Sequence, residues 1–183
     1  MYFISGKIKQ AILDYRITAL HIDKSGDLWA GTWQNGLFRI KYNFSNNRFT
    51  IIAINHFLPA ENIRPLFEDS KGNIWAGTRY QGVYQFTKKE NDSFAIVNFD
   101  QKMGLTSNFV KSIREDANGN YWIAFYQGLD KIITTGSSYR IFNFSRVNNY
   151  FTSIIGMETD EDHLLWVATN DGLVKITDGE MEK

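Results

Sequence analysis

One pattern recurs four times along the 183 residues, at Ile17–Ile40, Ile63–Phe86, Val110–Ile132 and Ser153–Ile176. Its anchor tryptophans, Trp29, Trp75, Trp122 and Trp166, stand 46, 47 and 44 residues apart. A later glycine (Gly36, Gly82, Gly128, Gly172) keeps spacings of 46, 46 and 44. Four units of about 46 residues therefore take up nearly the whole chain. Periods of this length mark folds that stack one supersecondary unit repeatedly, because a single unit cannot bury its apolar face alone.

Each unit reads as strands joined by tight turns. An alternating apolar stretch runs into Asp23-Lys-Ser-Gly26, Asp69-Ser-Lys-Gly72 or Asp116-Ala-Asn-Gly119. Asp at the first position of such a turn accepts backbone N–H bonds, and Gly at the fourth takes the left-handed conformation a hairpin needs. A second strand carries the Trp, and a second glycine turn leads to a third strand. An aromatic-rich fourth strand follows in three units: Phe49 to Ile54, Phe94 to Phe99 and Tyr139 to Phe144. No apolar stripe of helical period lasts more than one turn.

Four strands per unit of this length make a β-propeller blade, so the fold class expected is all-β, a propeller of four-stranded antiparallel blades. The blade repeats fall at about 17–54, 63–99, 110–144 and 153–176. Thr177 to Lys183 is too short and polar to supply the last fourth strand, whereas Tyr2-Phe3-Ile4 has strand character but no blade. The strand at 2–4 is therefore expected to complete the last blade, giving 16 strands. That count fits a complete small ring or a part of a larger propeller, in either case a single propeller domain.

Composition narrows the function classes. Twenty basic residues balance 20 acidic ones, which argues against a nucleic-acid-binding surface and suits a receptor for neutral or mixed ligands. There is no cysteine, so disulfide scaffolds, Cys-ligated zinc and thiol catalysis are excluded. The first 30 residues hold no apolar run long enough for a signal peptide or a membrane span, so no membrane insertion by this segment is expected. The protein is then cytoplasmic if this is the whole natural chain, or an excised piece of a longer exported protein.

The composite Asp-x-x-Gly-x-Leu/Ile-Trp-Ala-Gly-Thr-x-x-x-Gly-Leu resembles the two-component regulator propeller repeat. The lead-ins Phe57-Leu-Pro-Ala-Glu-Asn-Ile63 and Gly104-Leu-Thr-Ser-Asn-Phe-Val110 are similar to that family too. Departures are Ala124-Phe125 for Gly-Thr in the third unit, Ala168 for Gly in the fourth, and His163 at the fourth unit's turn glycine. In that family the repeats build periplasmic sensor domains of hybrid histidine kinases, typically as two seven-bladed propellers that perceive oligosaccharides. The resemblance implies a non-catalytic sensor module, periplasmic as part of a larger membrane-anchored protein, with an oligosaccharide as ligand and other propeller domains as partners. The alternative is a protein-interaction scaffold whose blades close against a second copy of the chain.

Candidate site residues follow from what the repeat does not require. The four anchor tryptophans occupy one mid-strand place and are expected to pack between blades rather than stack sugars. The Asp turns lack the alternating ligands of a calcium loop, and no metal or other cofactor is expected. They resemble the Asp-box of sialidase propellers but stand six residues before Trp instead of five. Glu61, Glu115, Asp130 and Asp162 form no pair suited to glycoside hydrolysis, and His21, His56 and His163 form no ligand-spaced pair, so no catalytic residue is assigned. The turn between second and third strands varies from unit to unit inside an otherwise fixed repeat. Its residues Trp33, Asn35, Arg79, Tyr80, Tyr126 and Asn170 supply flat faces and hydrogen-bonding groups, and are the expected ligand-binding set.

Overall fold

The computed structural model of the protein describes residues 15–46, 48–136, 138–144, 153–177 and 180–182. The strands fall into four antiparallel sheets, each ordered as in the sequence. The first blade holds β1 (Ile17–Ile22), β2 (Leu28–Thr32), β3 (Leu37–Ser45) and β4 (Arg48–Phe57). The second holds β5 (Ile63–Glu68), β6 (Ile74–Thr78), β7 (Val83–Lys88) and β8 (Phe94–Phe99). The third holds β9 (Val110–Glu115), β10 (Tyr121–Phe125), β11 (Leu129–Thr135) and β12 (Ser138–Asn143). The fourth holds β13 (Ile154–Thr159), β14 (Leu165–Thr169), β15 (Gly172–Thr177) and β16 (Glu180–Glu182). One 3₁₀ turn, Gln101–Met103, lies in the link between the second and third blades.

The strands β1, β5, β9 and β13 pack against one another in that order, so each blade presents its first strand to the propeller axis. Among the described residues, β13 makes no comparable contact with β1. The fold is a β-propeller of four-stranded antiparallel blades.

The core sits between blades. Trp29 of the first blade packs with Ile63, Ile74 and Phe86 of the second. Trp75 in turn meets Ile113, Tyr121 and Ile132, and Trp122 meets Met157, Leu165 and Ile176. These three indoles are essentially fully buried, the place expected of a residue fixed by the repeat. Burying so large a ring against the next sheet removes a large apolar surface from water.

The turn before each tryptophan is held by its aspartate. Asp69 Oδ1 accepts the N–H groups of Lys71 and Asn73, at 3.0 and 2.8 Å, and Oδ2 accepts the Trp75 indole N–H at 2.9 Å. Asp23 and Asp116 repeat the arrangement with Trp29 and Trp122. The fourth unit makes the same turn in spite of its missing glycine. Asp160 accepts from Asp162, Leu164 and the Trp166 indole, and His163 takes the left-handed place with φ of 57°. Turn bonds and the indole thus occupy both oxygens of each of these carboxylates.

One expectation is corrected. Glu180–Glu182 does form the fourth strand of the last blade, pairing Lys175 with Glu182 and Thr177 with Glu180. An outermost strand needs only main-chain pairing on one side, so a short segment with two glutamates suffices. The strand expected at 2–4 lies outside the described residues.

Candidate functional site

At one end of the blades, the turns between second and third strands meet the starts of the axial strands. The threonine of the Ala-Gly-Thr motif shapes these turns. Thr78 Oγ1 donates to Gly82 O at 3.0 Å and accepts Gln81 N–H at 2.8 Å, and Thr32 does the same with Gly36 and Asn35. Gly82 needs φ of 77° to close its turn, and its N–H donates to Asn108 O at 3.1 Å. In the first, second and fourth blades the residue after the second strand is tied to the residue just before the axial strand. Trp33 N–H donates to Arg16 O at 2.9 Å and Arg79 N–H to Asn62 O at 3.0 Å. Main-chain bonds therefore fix where the side chains of Trp33 and Arg79 emerge.

Each axial strand begins with a break in register against its neighbour. The pairing skips Thr18 in β1, Arg64 and Pro65 in β5, Lys111 in β9 and Ile155 in β13. Such bulges re-aim the extra residue away from the ladder. Here they deliver Arg64 and Lys111 to a cleft of about 420 Å³ that is also lined by Arg16, Thr18, Trp33 and Phe109.

Cations and aromatic rings alternate across this cleft. The Trp33 ring carries Arg16 at 4.6 Å, Arg64 at 5.3 Å and Arg79 at 5.6 Å from its centroid. Arg64 lies 5.1 Å and Arg79 5.6 Å from the Phe109 ring, and Arg79 lies 5.4 Å from that of Tyr80. Lys111 Nζ stands 5.4 Å from the Tyr126 ring and donates to Ile154 O at 2.6 Å. Among the described residues none of these four cations forms a salt bridge, whereas Arg39, Lys41, Lys88, Arg114 and Lys131 each have an acidic partner. The Glu61 carboxyl, which does not line the cleft, is pushed above the ordinary carboxylate range by burial.

The structure gathers part of the expected set. Trp33, Arg79 and Tyr80 stand together, with Tyr80 largely exposed, and Tyr126 joins them through Lys111. Asn35 serves its own turn instead, its carbonyl accepting from His56 Nε2 at 2.7 Å. Asn170 Nδ2 donates to Ser153 Oγ at 2.9 Å on the fourth blade. Of the expected set only Trp33 lines the cleft itself; Arg79, Tyr80 and Tyr126 stand beside it, and the two asparagines do not. Sequence reasoning missed Arg16, Arg64, Phe109 and Lys111. The signal available was the same one used for the turns: Thr18, Arg64, Lys111 and Ile155 occupy one repeat position with four different chemistries.

A family model described as two component regulator propeller matches residues 11–34, 58–80 and 104–127, each spanning the lead into an axial strand and the Trp strand after it. The three matched segments, in the first three blades, are similar to two-component regulator propeller repeats. The chain is also 35% identical over 82 residues to histidine kinase P4 of Formosa agariphila, an alignment covering 41% of this chain and 6% of that protein. The extracellular domain of a hybrid two-component system from B. thetaiotaomicron matches with a TM-score of 0.66 and 24% identity, over 91% of this chain and 22% of that one. Virginiamycin B lyase from Staphylococcus aureus shares the fold with a TM-score of 0.63 and 16% identity, over 92% of this chain and 55% of that one. This chain thus spans only a small part of the length of each signalling relative. The lyase shows that blades of this kind also occur in enzymes, so fold alone does not decide function.

Proposed function

We propose that this chain is a non-catalytic, ligand-sensing propeller module of a two-component signalling system, which perceives an oligosaccharide and relays its presence to a histidine kinase. The observation that carries this is the cleft at the axial strand ends, lined by Trp33 and Phe109 with Arg16, Arg64 and Lys111, with Arg79, Tyr80 and Tyr126 set beside it through cation–ring contacts. Aromatic faces stack on sugar rings, and fixed polar donors between them set orientation. The volume of about 420 Å³ is within the range of small-molecule sites. Among the described residues the cleft lining holds no carboxylate for the two-acid chemistry of glycoside hydrolysis.

The repeat family and the signalling relatives support the sensor assignment, and they support a place outside the cytoplasm, in the periplasm, as part of a larger membrane-anchored protein. Among the described residues, no helix is long and apolar enough to cross a membrane. Ligand would signal only by favouring one arrangement of the assembled domains over another, through unequal affinity for the two. A glycan panel read by thermal shift tests the reading, since a ligand that binds only the folded chain raises its melting temperature. At least one oligosaccharide should do so, and a flat panel counts against it.

A second reading has its own support. Leu173 holds the place that Leu37, Val83 and Leu129 occupy in the inter-blade cores, yet it is 58% exposed beside Trp166. Leu20 and Ile22 on the axial strand of the first blade are 65% and 59% exposed. These are the faces a further blade covers, which favours a scaffold that closes against a second copy. Light scattering separates the two: a dimer mass supports closure by a second copy, and a stable monomer removes it.

A further inference from the structure

We infer that the saccharide taken up at this cleft is acidic, its carboxylate or sulfate seated on Arg64 with Lys111 beside it. The inference rests on the ligand-binding reading of the cleft and adds the charge of the ligand. Three observations carry it. First, among the described residues the lining contains Arg16, Arg64 and Lys111 and no acidic side chain, in a chain whose total charge is zero. The charge balance of the whole molecule conceals a local excess of positive charge.

Second, Arg64 Nε is buried and has no hydrogen-bond partner among the described residues. A buried donor left unmet is costly, and an oxyanion in the cleft is the acceptor that would meet it. Arg39 also has unpartnered nitrogens, but it is fully buried between Asp27 and Asp92, with no room for a ligand.

Third, the geometry holds Arg64 for such a contact. The bulge in β5 places the side chain in the cleft, and the rings of Trp33 and Phe109 stand 5.3 and 5.1 Å from its guanidinium. A guanidinium set against aromatic rings keeps its in-plane N–H groups for a planar, bidentate acceptor, which a carboxylate or a sulfate edge provides. The exposed faces of Tyr80 and Tyr126 flank the cleft, where the sugar rings attached to that anion would lie. A lone inorganic anion would leave most of the 420 Å³ and these faces unused.

The test is titration calorimetry of the full chain with four probes at low salt: digalacturonate, a monosulfated galactose disaccharide, neutral galactobiose, and a hexaglutamate peptide. Either or both anionic disaccharides should bind, at least tenfold more tightly than galactobiose, and weaken as salt is raised. Which of the two binds identifies the anion as carboxylate or sulfate. Arg64→Gln should cost that probe at least tenfold in affinity, and Lys111→Gln should weaken it in the same direction. Galactobiose binding equally well overturns the charge inference and leaves the saccharide reading standing. Hexaglutamate binding through Arg64 with no sugar bound overturns both readings. Failure of all four probes, or full affinity in both folded variants, overturns the inference.

Discussion

Asp69 Oδ2 accepts the indole N–H of Trp75 at 2.9 Å, and the same oxygen accepts the hydroxyl of Tyr121 from the next blade at 3.0 Å. The carboxylate therefore joins a turn, the anchor of its own blade and the sheet that packs on that anchor. Burial and the neighbouring Asp69 charge push the Tyr121 hydroxyl well above its ordinary pKa, so it stays a donor. Asp69→Ala leaves several donors unmet in a site that is 1% exposed, and should destabilise by about 3 kcal/mol or more. Tyr121→Phe removes one donor together with its share of the bond, and should cost only about 1 kcal/mol. Urea denaturation midpoints of the two variants check the ordering.

The motif glycine is a packing requirement at the axis. A Cβ on Gly77 would stand 2.6 Å from Pro65 Cγ and 2.7 Å from Val110 Cγ1, where β5 and β9 pass close by. Gly77→Ala should destabilise by about 1–3 kcal/mol through overpacking. Gly156, on the axial strand β13, has nothing within 4 Å of such a Cβ, so Gly156→Ala should be near neutral. Equal losses at the two positions would show that the close approach at Gly77 is not what selects glycine.

Acid should unfold the protein through its turn carboxylates. Burial opposes the Asp116 charge, but bonds from the Asn120 N–H, the Trp122 indole and Lys131 outweigh it and hold the group below its ordinary range. Asp160 is lowered chiefly by its Trp166 bond, Asp92 by its bonds from Arg39 and Lys41, and Glu158 by Arg114. A carboxylate with a lowered folded pKa contributes stability above its unfolded pKa and loses it as pH falls through the folded one. Thermal midpoints should therefore hold near neutral pH and drop below about pH 4. Asp116→Asn should lower the midpoint at pH 7 and flatten the acid limb. An unchanged acid slope in that variant would mean that Asp116 is not among the groups responsible.

The buried cation of the first blade tests how ion pairs act here. Arg39 is fully buried, contacts Asp27 and Asp92, and lies 5.0 Å from the Phe94 ring. Burial works against its charge, and the two carboxylates more than restore it, raising its pKa. Arg39→Met keeps most of the packing volume but leaves Asp27 without its cation, and should destabilise by about 1–3 kcal/mol. The loss should shrink at low pH, where the carboxylates take up protons. A loss of the same size at every pH would assign the effect to packing alone.

The period of the tryptophans made the blades legible, because each unit must present the same indole to the next sheet. It could not show β16, whose strand character lies in main-chain pairing rather than in Glu180-Met181-Glu182. Nor could it show that His163 would do a glycine's work, since the Asp160 bonds hold the turn whatever occupies its fourth place. For the site, Trp33, Arg79 and Tyr80 stood out because they vary within a fixed turn. Arg64 lies between Ile63 and Pro65 in an apolar stretch and reads as a strand residue. Only the register break in β5 brings it into the cleft, and the local sign of that break is Pro65, which has no N–H to give the ladder.

The site itself is tested most directly by titration calorimetry on the chain and its Trp33→Ala variant, using the oligosaccharide that raises the melting temperature most in the panel. The expected result is saturable binding to the chain and a loss of at least about tenfold in Trp33→Ala, roughly 1.4 kcal/mol, with folding intact. Arg79→Ala and Tyr80→Ala should weaken the same ligand. Full affinity in all three folded variants, or no oligosaccharide bound at all, would contradict a ligand site at this cleft.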